Sequence, residues 1–171
     1  MSPPSWMNTL TTTWQQLARA DRSPRVAVLG IGNTLNGDDA AGVVIVRRLA
    51  ATLPPRPDLL LLESGSAPEN ETGTLRRFAP DLVLFLDAAQ MGAPPGTVRW
   101  VPFDALTGLS ASTHTLPLSL LATYLRAELG CQVALLGVQP ACNEIGTPLS
   151  APVCTAIEAV ADALADFFLS I

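Results

Sequence analysis

Short apolar runs alternate with amphipathic segments through most of the chain. Residues 25–31 are apolar after the first position, which is typical of a strand buried on both faces of a parallel sheet. Residues 38–53 carry apolar side chains at helical spacing, among them Val43, Val46 and Leu49. The alternating region is therefore predicted to begin with a strand followed by a helix.

The same alternation continues to the C-terminus. Further strands are predicted at residues 57–62, 81–86, 97–103 and 131–138, and further helices at residues 69–78, 116–129 and 151–169. Residues 97–103 alternate like the second strand of a hairpin with the strand before them. Gly130 follows a predicted helix, where glycine favours a left-handed cap. We predict an α/β fold, a three-layer sandwich whose mostly parallel, twisted sheet has helices on both faces and one antiparallel strand.

The chain is predicted to form one domain preceded by an extension. Its 171 residues are the length of a single domain and are enough to build a core without a disulfide or metal staple. Residues 1–24 are polar, and their one helical pattern, at residues 11–20, is expected to pack on the surface. Residues 25–171 are the predicted α/β domain.

Composition excludes several classes of protein. Hydrophobic residues make up 49% and charged residues 15% of the chain, the reverse of the balance in disordered proteins. A net charge of −5, with no lysine, argues against a nucleic-acid partner. The apolar runs have the length of strands, so we expect neither a membrane-spanning helix nor a secretory signal. Three cysteines without C-x-x-C spacing fit the reduced thiols of a cytoplasmic protein.

Acidic side chains follow three of the predicted strands at the point where each strand ends. Asp38 and Asp39 follow the first strand, Glu63 the second and Asp87 the third. Open α/β sheets bind ligands beyond the carboxyl ends of their strands. A carboxylate there is costly to desolvate unless a helix N-terminus, an arginine or a metal ion compensates. We therefore place the chemistry at this edge of the sheet.

The loop after the first strand has two interpretations. Gly30 and Gly32 are similar to the start of a dinucleotide-binding fingerprint, but Leu35 stands where its third glycine would fall. The alternative is a tight turn capped by Asn33 and Asp38, in which the dipole of the next helix favours the acids. A turn accounts for one of the two adjacent aspartates and leaves the other directed over the end of the sheet.

His114 is the only histidine in the chain and lies in a polar stretch before a predicted helix. A lone histidine in a loop is usually an ordinary surface residue, but two acids are already predicted at the same edge. One imidazole and two carboxylates suit Zn, Ni, Mn, Co or Fe and leave positions open for water or a substrate. A single histidine excludes the H-E-x-x-H motif, and no serine or cysteine stands in a recognisable activating context.

Five short motifs occur in order along residues 25–169. They are Leu29-Gly-Ile-Gly-Asn-Thr-Leu-Asn-Gly-Asp-Asp-Ala-Ala-Gly42, Ser64-Gly-Ser-Ala-Pro-Glu-Asn70, Leu86-Asp-Ala-Ala-Gln-Met-Gly92, Thr113-His-Thr-Leu-Pro-Leu118 and Leu136-Gly-Val-Gln-Pro140. Together they resemble the hydrogenase maturation endopeptidases, most of all the branch that acts on formate hydrogenlyase-type hydrogenases. The resemblance implies an enzyme that removes the C-terminal extension from the precursor of a nickel–iron hydrogenase large subunit after nickel insertion.

The resemblance also implies roles for individual residues. The family's metal ligands fall on Asp39, Asp87 and His114, and its further acid, in a supporting or catalytic role, falls on Glu63. The nickel would be supplied by the precursor, and Zn or Cd could occupy the same ligands. We expect a monomeric, cytoplasmic protein whose partner is the hydrogenase precursor.

Two other functions remain open on the sequence. The same ligands would serve a metal-sensing or chaperone-like module that docks on the precursor without cutting it. A glycine-rich turn after the first strand is also similar to that of peptidyl-tRNA hydrolases, but the basic surface that tRNA binding requires is not visible in this sequence.

Overall fold

A five-stranded mixed sheet forms the centre of the fold in the computed structural model, which describes residues 4–108, 110–111 and 117–171. Its five strands are β1 (Val26–Ile31), β2 (Leu59–Gly65), β3 (Leu82–Gln90), β4 (Val98–Pro102) and β6 (Gln132–Val138), and a sixth, short strand, β5 (Ser110–Ala111), lies outside their order. The sheet order is β2-β1-β3-β6-β4. The first four of these strands are parallel, β4 is antiparallel to β6, and β5 pairs antiparallel with the end of β3. The predicted fold class is confirmed.

Helices cover both faces of the sheet. They are α1 (Ser5–Leu17), α2 (Ala41–Thr52), α3 (Thr72–Phe78), α4 (Leu118–Leu129) and α5 (Ala151–Ser170). Helices α1, α2 and α5 share one hydrophobic cluster with the sheet, and α3 and α4 share another on the opposite face. Among the described residues, no helix combines the length and hydropathy needed to cross a membrane.

The continuous apolar run of β1 follows from its central position. Val26 and Val28 belong to the cluster under α2 and α5, whereas Ala27 and Leu29 belong to the cluster under α3 and α4. Side chains of a strand alternate between the two faces of its sheet. A strand covered on both faces therefore needs apolar residues at every position, as the sequence predicted.

Helix α2 lies against the sheet at the carboxyl ends of β1 and β3. A Cβ atom on Gly42 would collide with the carbonyl oxygens of Leu86 and Ile31, and one on Gly30 would collide with the carbonyl oxygen of Gly42. Both positions are therefore restricted to glycine by close backbone packing. This contact brings the turn in front of α2 beside the end of β3.

The predicted hairpin between β3 and β4 is wrong. Strand β6 lies between them and pairs parallel with β3 and antiparallel with β4. Residues 91–97 pass over the end of β6, where Gln139 accepts hydrogen bonds from the Met91 and Gly96 backbone amides, at 2.7 and 2.8 Å. The alternating pattern of β4 suits an edge strand beside either neighbour. The buried, apolar β6 is the strand that needs a partner on both sides.

Helix α1 begins at Ser5, not at residue 11 as predicted, and belongs to the core. Leu10 is completely buried, Trp6 is almost so, and the Trp14 ring meets the Phe167 ring edge-on at a centroid distance of 5.9 Å. Trp6, Leu10 and Trp14 are spaced four residues apart, as on the buried face of an amphipathic helix, but the segment is rich in Ser, Thr and Pro and was assigned to the surface. The N-terminal segment thus packs with α2 and α5 in one cluster. The division at residue 24 stays a prediction.

Asp81 anchors this segment where it enters β1. The Arg22 guanidinium donates hydrogen bonds to both carboxylate oxygens, at 2.6 and 2.8 Å, and the Arg25 backbone amide donates to one of them at 2.8 Å. The Arg22 hydrogen bonds hold the pKa of Asp81 below its ordinary value, although burial opposes this shift. The anchor ties residues 22–25 to the start of β3.

We expect Asp81→Asn to lower the free energy of unfolding by about 1–3 kcal/mol at pH 7, because hydrogen bonds to a charged group are lost. The folded-state pKa lies below the unfolded value of about 3.9, so the stabilisation is present above that value and is lost as the pH falls through the folded-state pKa. Urea unfolding should therefore show the deficit shrinking below about pH 4.

The matched control for this experiment is Asp104→Asn, because the Asp104 side chain is 93% exposed. This variant should leave the free energy of unfolding unchanged at pH 7 and at pH 3. A deficit in Asp81→Asn that stays constant from pH 7 to pH 3 would contradict the role of the Asp81 charge.

Candidate active site

Asp39 and Asp87 lie at the same carboxyl edge of the sheet on adjoining elements. Asp39 belongs to the 3-10 turn Gly37–Ala40, which follows β1, leads into α2 and packs against β3, the strand that carries Asp87. The two residues are 1% and 2% exposed. Buried carboxylates are rare unless they are paired, hydrogen-bonded or bound to a metal. The structure therefore brings two of the predicted site residues to one edge.

The loop after β1 shapes the surroundings of Asp39. The Asn33 backbone amide donates a hydrogen bond of 2.9 Å to Oδ2 of Asp39, and the Asn33 side chain accepts one of 3.0 Å from the Leu35 amide. Gly32 has a φ of 129°, and a Cβ atom there would collide with the Asp39 carbonyl oxygen. The loop is thus a tight turn around Asp39, with Asn33 stabilising the turn as predicted.

Asp38 performs a different task from its neighbour. It is completely buried and accepts hydrogen bonds from the backbone amides of Ala141, Cys142 and Ser150 and from the Ser150 hydroxyl, at 2.7–3.1 Å. Burial alone would raise the pKa of Asp38, but the hydrogen bonds from Ser150, Ala141 and Cys142 outweigh it and hold that pKa below its ordinary value. Asp38 joins the loop after β1 to the loop after β6.

This role of Asp38 was not predicted from the sequence. We expected Asp38 to cap a turn, but its carboxylate binds residues more than a hundred positions away. Helix N-caps connect residues two or three positions apart, so they carry no signal for such a contact. The only hint was the presence of two adjacent aspartates, of which a turn accounts for one.

Glu63 lies at the end of β2 and is exposed. Its carboxylate accepts a hydrogen bond of 2.7 Å from Nε of Arg47 on α2. Alternation along β2 places it on the α2 face, whereas Asp87 shares the α4 face with Val83 and Phe85. Glu63 also lines a cavity of about 290 Å³ next to the loop that holds Asp39. It thus lies near the Asp39 loop but on the opposite sheet face from Asp87.

The third predicted ligand, His114, lies outside the described residues. Within residues 4–108, 110–111 and 117–171, no group of three or more His, Cys, Asp and Glu side chains is placed to hold one metal ion. Asp39 and Asp87 supply carboxylate oxygens, which are suitable donors for a divalent cation. These two residues fit part of the predicted donor set.

Comparison with known proteins identifies the family. A model of the HycI hydrogenase maturation proteases matches residues 43–166. The chain belongs to the hydrogenase maturation protease family. The hydrogenase 3 maturation protease of Escherichia coli strain K12 is 34% identical over 134 residues, which cover 78% of this chain and 84% of that protein.

Solved structures of this family share the fold. The crystal structure of the NiFe hydrogenase maturation protease HycI from Thermococcus kodakarensis KOD1 is 35% identical, with a TM-score of 0.76 over 84% of this chain and 91% of that chain. The hydrogenase maturating endopeptidase HybD from Escherichia coli is 28% identical, with a TM-score of 0.71 over 82% and 89%. The five-stranded sheet with its two helical layers is therefore the architecture of this family.

We expect Asp38→Ala to lower the free energy of unfolding by about 2–3 kcal/mol, because the buried amides and hydroxyl that bind Asp38 lose their acceptor. Urea unfolding measures the loss, and hydrogen exchange should show faster exchange at the Cys142 and Ser150 amides. The exposed Asp104 provides the matched control, Asp104→Ala. Equal unfolding curves for the two variants would contradict the role of Asp38.

Proposed function

We propose that this member of the family is an endopeptidase that removes the C-terminal extension from the precursor of a NiFe hydrogenase large subunit after nickel insertion. The observation that supports it most directly is the pair of buried carboxylates, Asp39 and Asp87, at the carboxyl edge where α/β sheets bind ligands. Membership of the hydrogenase maturation protease family supports both the peptidase activity and the protein substrate.

We further propose that Asp39, Asp87 and His114 together recognise the nickel that the precursor carries. Support for His114 comes from its described neighbours along the chain. Ala111, three positions before the histidine, pairs with Ala89 on β3, two positions after Asp87. His114 is therefore only three residues along the chain from a residue that pairs with the end of β3, the strand that carries Asp87. Its imidazole would add a nitrogen donor to two carboxylates, a set that suits a divalent metal.

The chemistry of this site assigns separate tasks to its residues. Asp39 and Asp87 would bind the nickel that the precursor carries, and the hydrogen bond from the Asn33 amide orients the Asp39 carboxylate. A divalent ion held by these residues would supply Lewis-acid activation of the scissile carbonyl or of a water molecule. Cys131 is no candidate nucleophile, because burial raises its pKa to about 11. Because no other cysteine and no serine stands in a recognisable activating context in the sequence, we propose hydrolysis by water without an acyl-enzyme.

Each of the substitutions Asp39→Ala, Asp87→Ala and His114→Ala should reduce processing to below about 1% of the wild-type rate, because each removes one ligand from the recognition site. The measurement is the mass of a purified nickel-loaded precursor after incubation with each variant. Asp104→Ala is the matched control and should process normally. Urea unfolding of each variant checks that the fold is intact.

Two outcomes would contradict this proposal. Normal processing by any of the three ligand variants would show that the substituted residue is not part of the recognition site. A wild-type protein that binds the precursor stably and leaves its C-terminus unchanged would show a docking module instead of a protease.

We propose a supporting acid–base role for Glu63. Glu63→Gln should then lower kcat about a hundredfold, the usual contribution of a general acid or base. Arg47→Gln removes the ion-pair partner but keeps the carboxylate, so it should leave kcat within about threefold of the wild type. Equal kcat values for Glu63→Gln and the wild type would show that Glu63 has no acid–base role and only forms its ion pair with Arg47.

A further inference from the structure

Two large aliphatic residues are exposed on two loops that a backbone hydrogen bond joins at the carboxyl edge. Leu35 is 68% exposed and Ile145 is 82% exposed. They lie on different loops, but the Gly146 amide donates a hydrogen bond of 2.8 Å to the Leu35 carbonyl oxygen, which makes the two residues neighbours. Single exposed aliphatic residues are ordinary, whereas adjacent ones mark an interaction surface more often.

These loops have a fixed shape. Asp38 binds both ends of the loop that carries Ile145, and the Thr147 hydroxyl donates a hydrogen bond of 2.7 Å to the Glu144 carbonyl oxygen. Gly37 lies so close to Cys142 and Thr147 that no Cβ atom would fit. A surface held in this way loses little conformational entropy when a partner covers it.

The surface has an acidic border. Glu144 precedes Ile145, is exposed, and forms no ion pair with any residue in the described part of the chain. Aliphatic side chains beside a negative charge are complementary to an apolar side chain with a basic neighbour. The rigid loops thus present both an apolar and an electrostatic feature to a partner.

The position of this surface indicates which partner covers it. Leu35 is in the loop that wraps around Asp39, and Ile145 follows β6, whose carboxyl end lies at the same edge as that of β3. Both loops therefore lie at the edge of the sheet that a protein substrate of the proposed site would contact. A protein substrate fits this position better than a small molecule, because the surface is open.

We propose that Leu35, Glu144 and Ile145 form a docking surface for the protein substrate, which supplies an apolar side chain next to a basic residue. The inference rests on the proposed function and extends it by naming residues that determine substrate binding. Docking by these residues acts on binding and not on bond cleavage, so it should change KM and leave kcat unaltered.

The test is the steady-state cleavage of the nickel-loaded precursor by Leu35→Ser, Ile145→Ser and the double variant. We expect each single variant to raise KM about tenfold, with kcat within about twofold of the wild type. Glu144→Gln should weaken the salt dependence of KM, because the attraction to a basic residue is lost.

Leu169→Ser is the matched control. Leu169 is 57% exposed and lies near the other end of α5, which begins at this edge of the sheet and runs away from it for 20 residues. The control should keep the wild-type KM and kcat. All of the substituted side chains are exposed, so urea unfolding should give the wild-type free energy for every variant.

The outcomes separate this inference from the proposed function. If the wild-type protein cleaves the precursor and the Leu35 and Ile145 variants keep the KM of Leu169→Ser, the docking surface is wrong and the proposed function stands. A fall in kcat at unchanged KM in the Leu35 and Ile145 variants would also overturn the docking surface. The same holds if light scattering shows that this chain forms a dimer and that the variants dissociate the dimer without changing KM. If the wild-type protein neither cleaves nor binds the precursor, the proposed function fails and this inference fails with it.

Discussion

The buried carboxylate of Asp38 is the interaction on which the carboxyl edge of the sheet depends. The carboxylate accepts four hydrogen bonds from the two ends of the 141–150 loop, and the residue is completely buried. Such a group stabilises a structure only while its partners stay in place, because an unpaired buried charge is costly. The loops after β1 and β6 are consequently held in one arrangement.

The adjacent residues Asp38 and Asp39 have different roles at this edge of the sheet. Asp38 faces the loop after β6 and supports the architecture, whereas Asp39 faces the Asn33 amide and lies beside the strand that carries Asp87. The tight packing of Gly42 against Leu86 places both aspartates. One short turn therefore combines structural support with the candidate chemistry, and its rigidity benefits both.

Much of the fold could be predicted from local pattern. The apolar run of β1, the helical spacing of α2 and the cap at Gly130, which adopts a φ of 65°, were all recognised correctly. The partner of β4 was assigned wrongly, because an alternating strand fits beside either β3 or β6. The start and the burial of α1 were predicted wrongly, because the polar composition of residues 1–24 outweighed the four-residue spacing of Trp6 and Leu10.

The amino-acid sequence by itself determined the α/β class, the edge at which the acids gather and, through five ordered motifs, the resemblance to the hydrogenase maturation endopeptidases. These features follow from residue type and spacing, which local physics translates into strands, helices and turns. Only the tertiary structure decided that Asp38 holds a distant loop, that Glu63 pairs with Arg47, and that Leu35 and Ile145 are neighbours. Each of these contacts joins residues far apart in the chain, and their positions become related only when the strands assemble into one sheet.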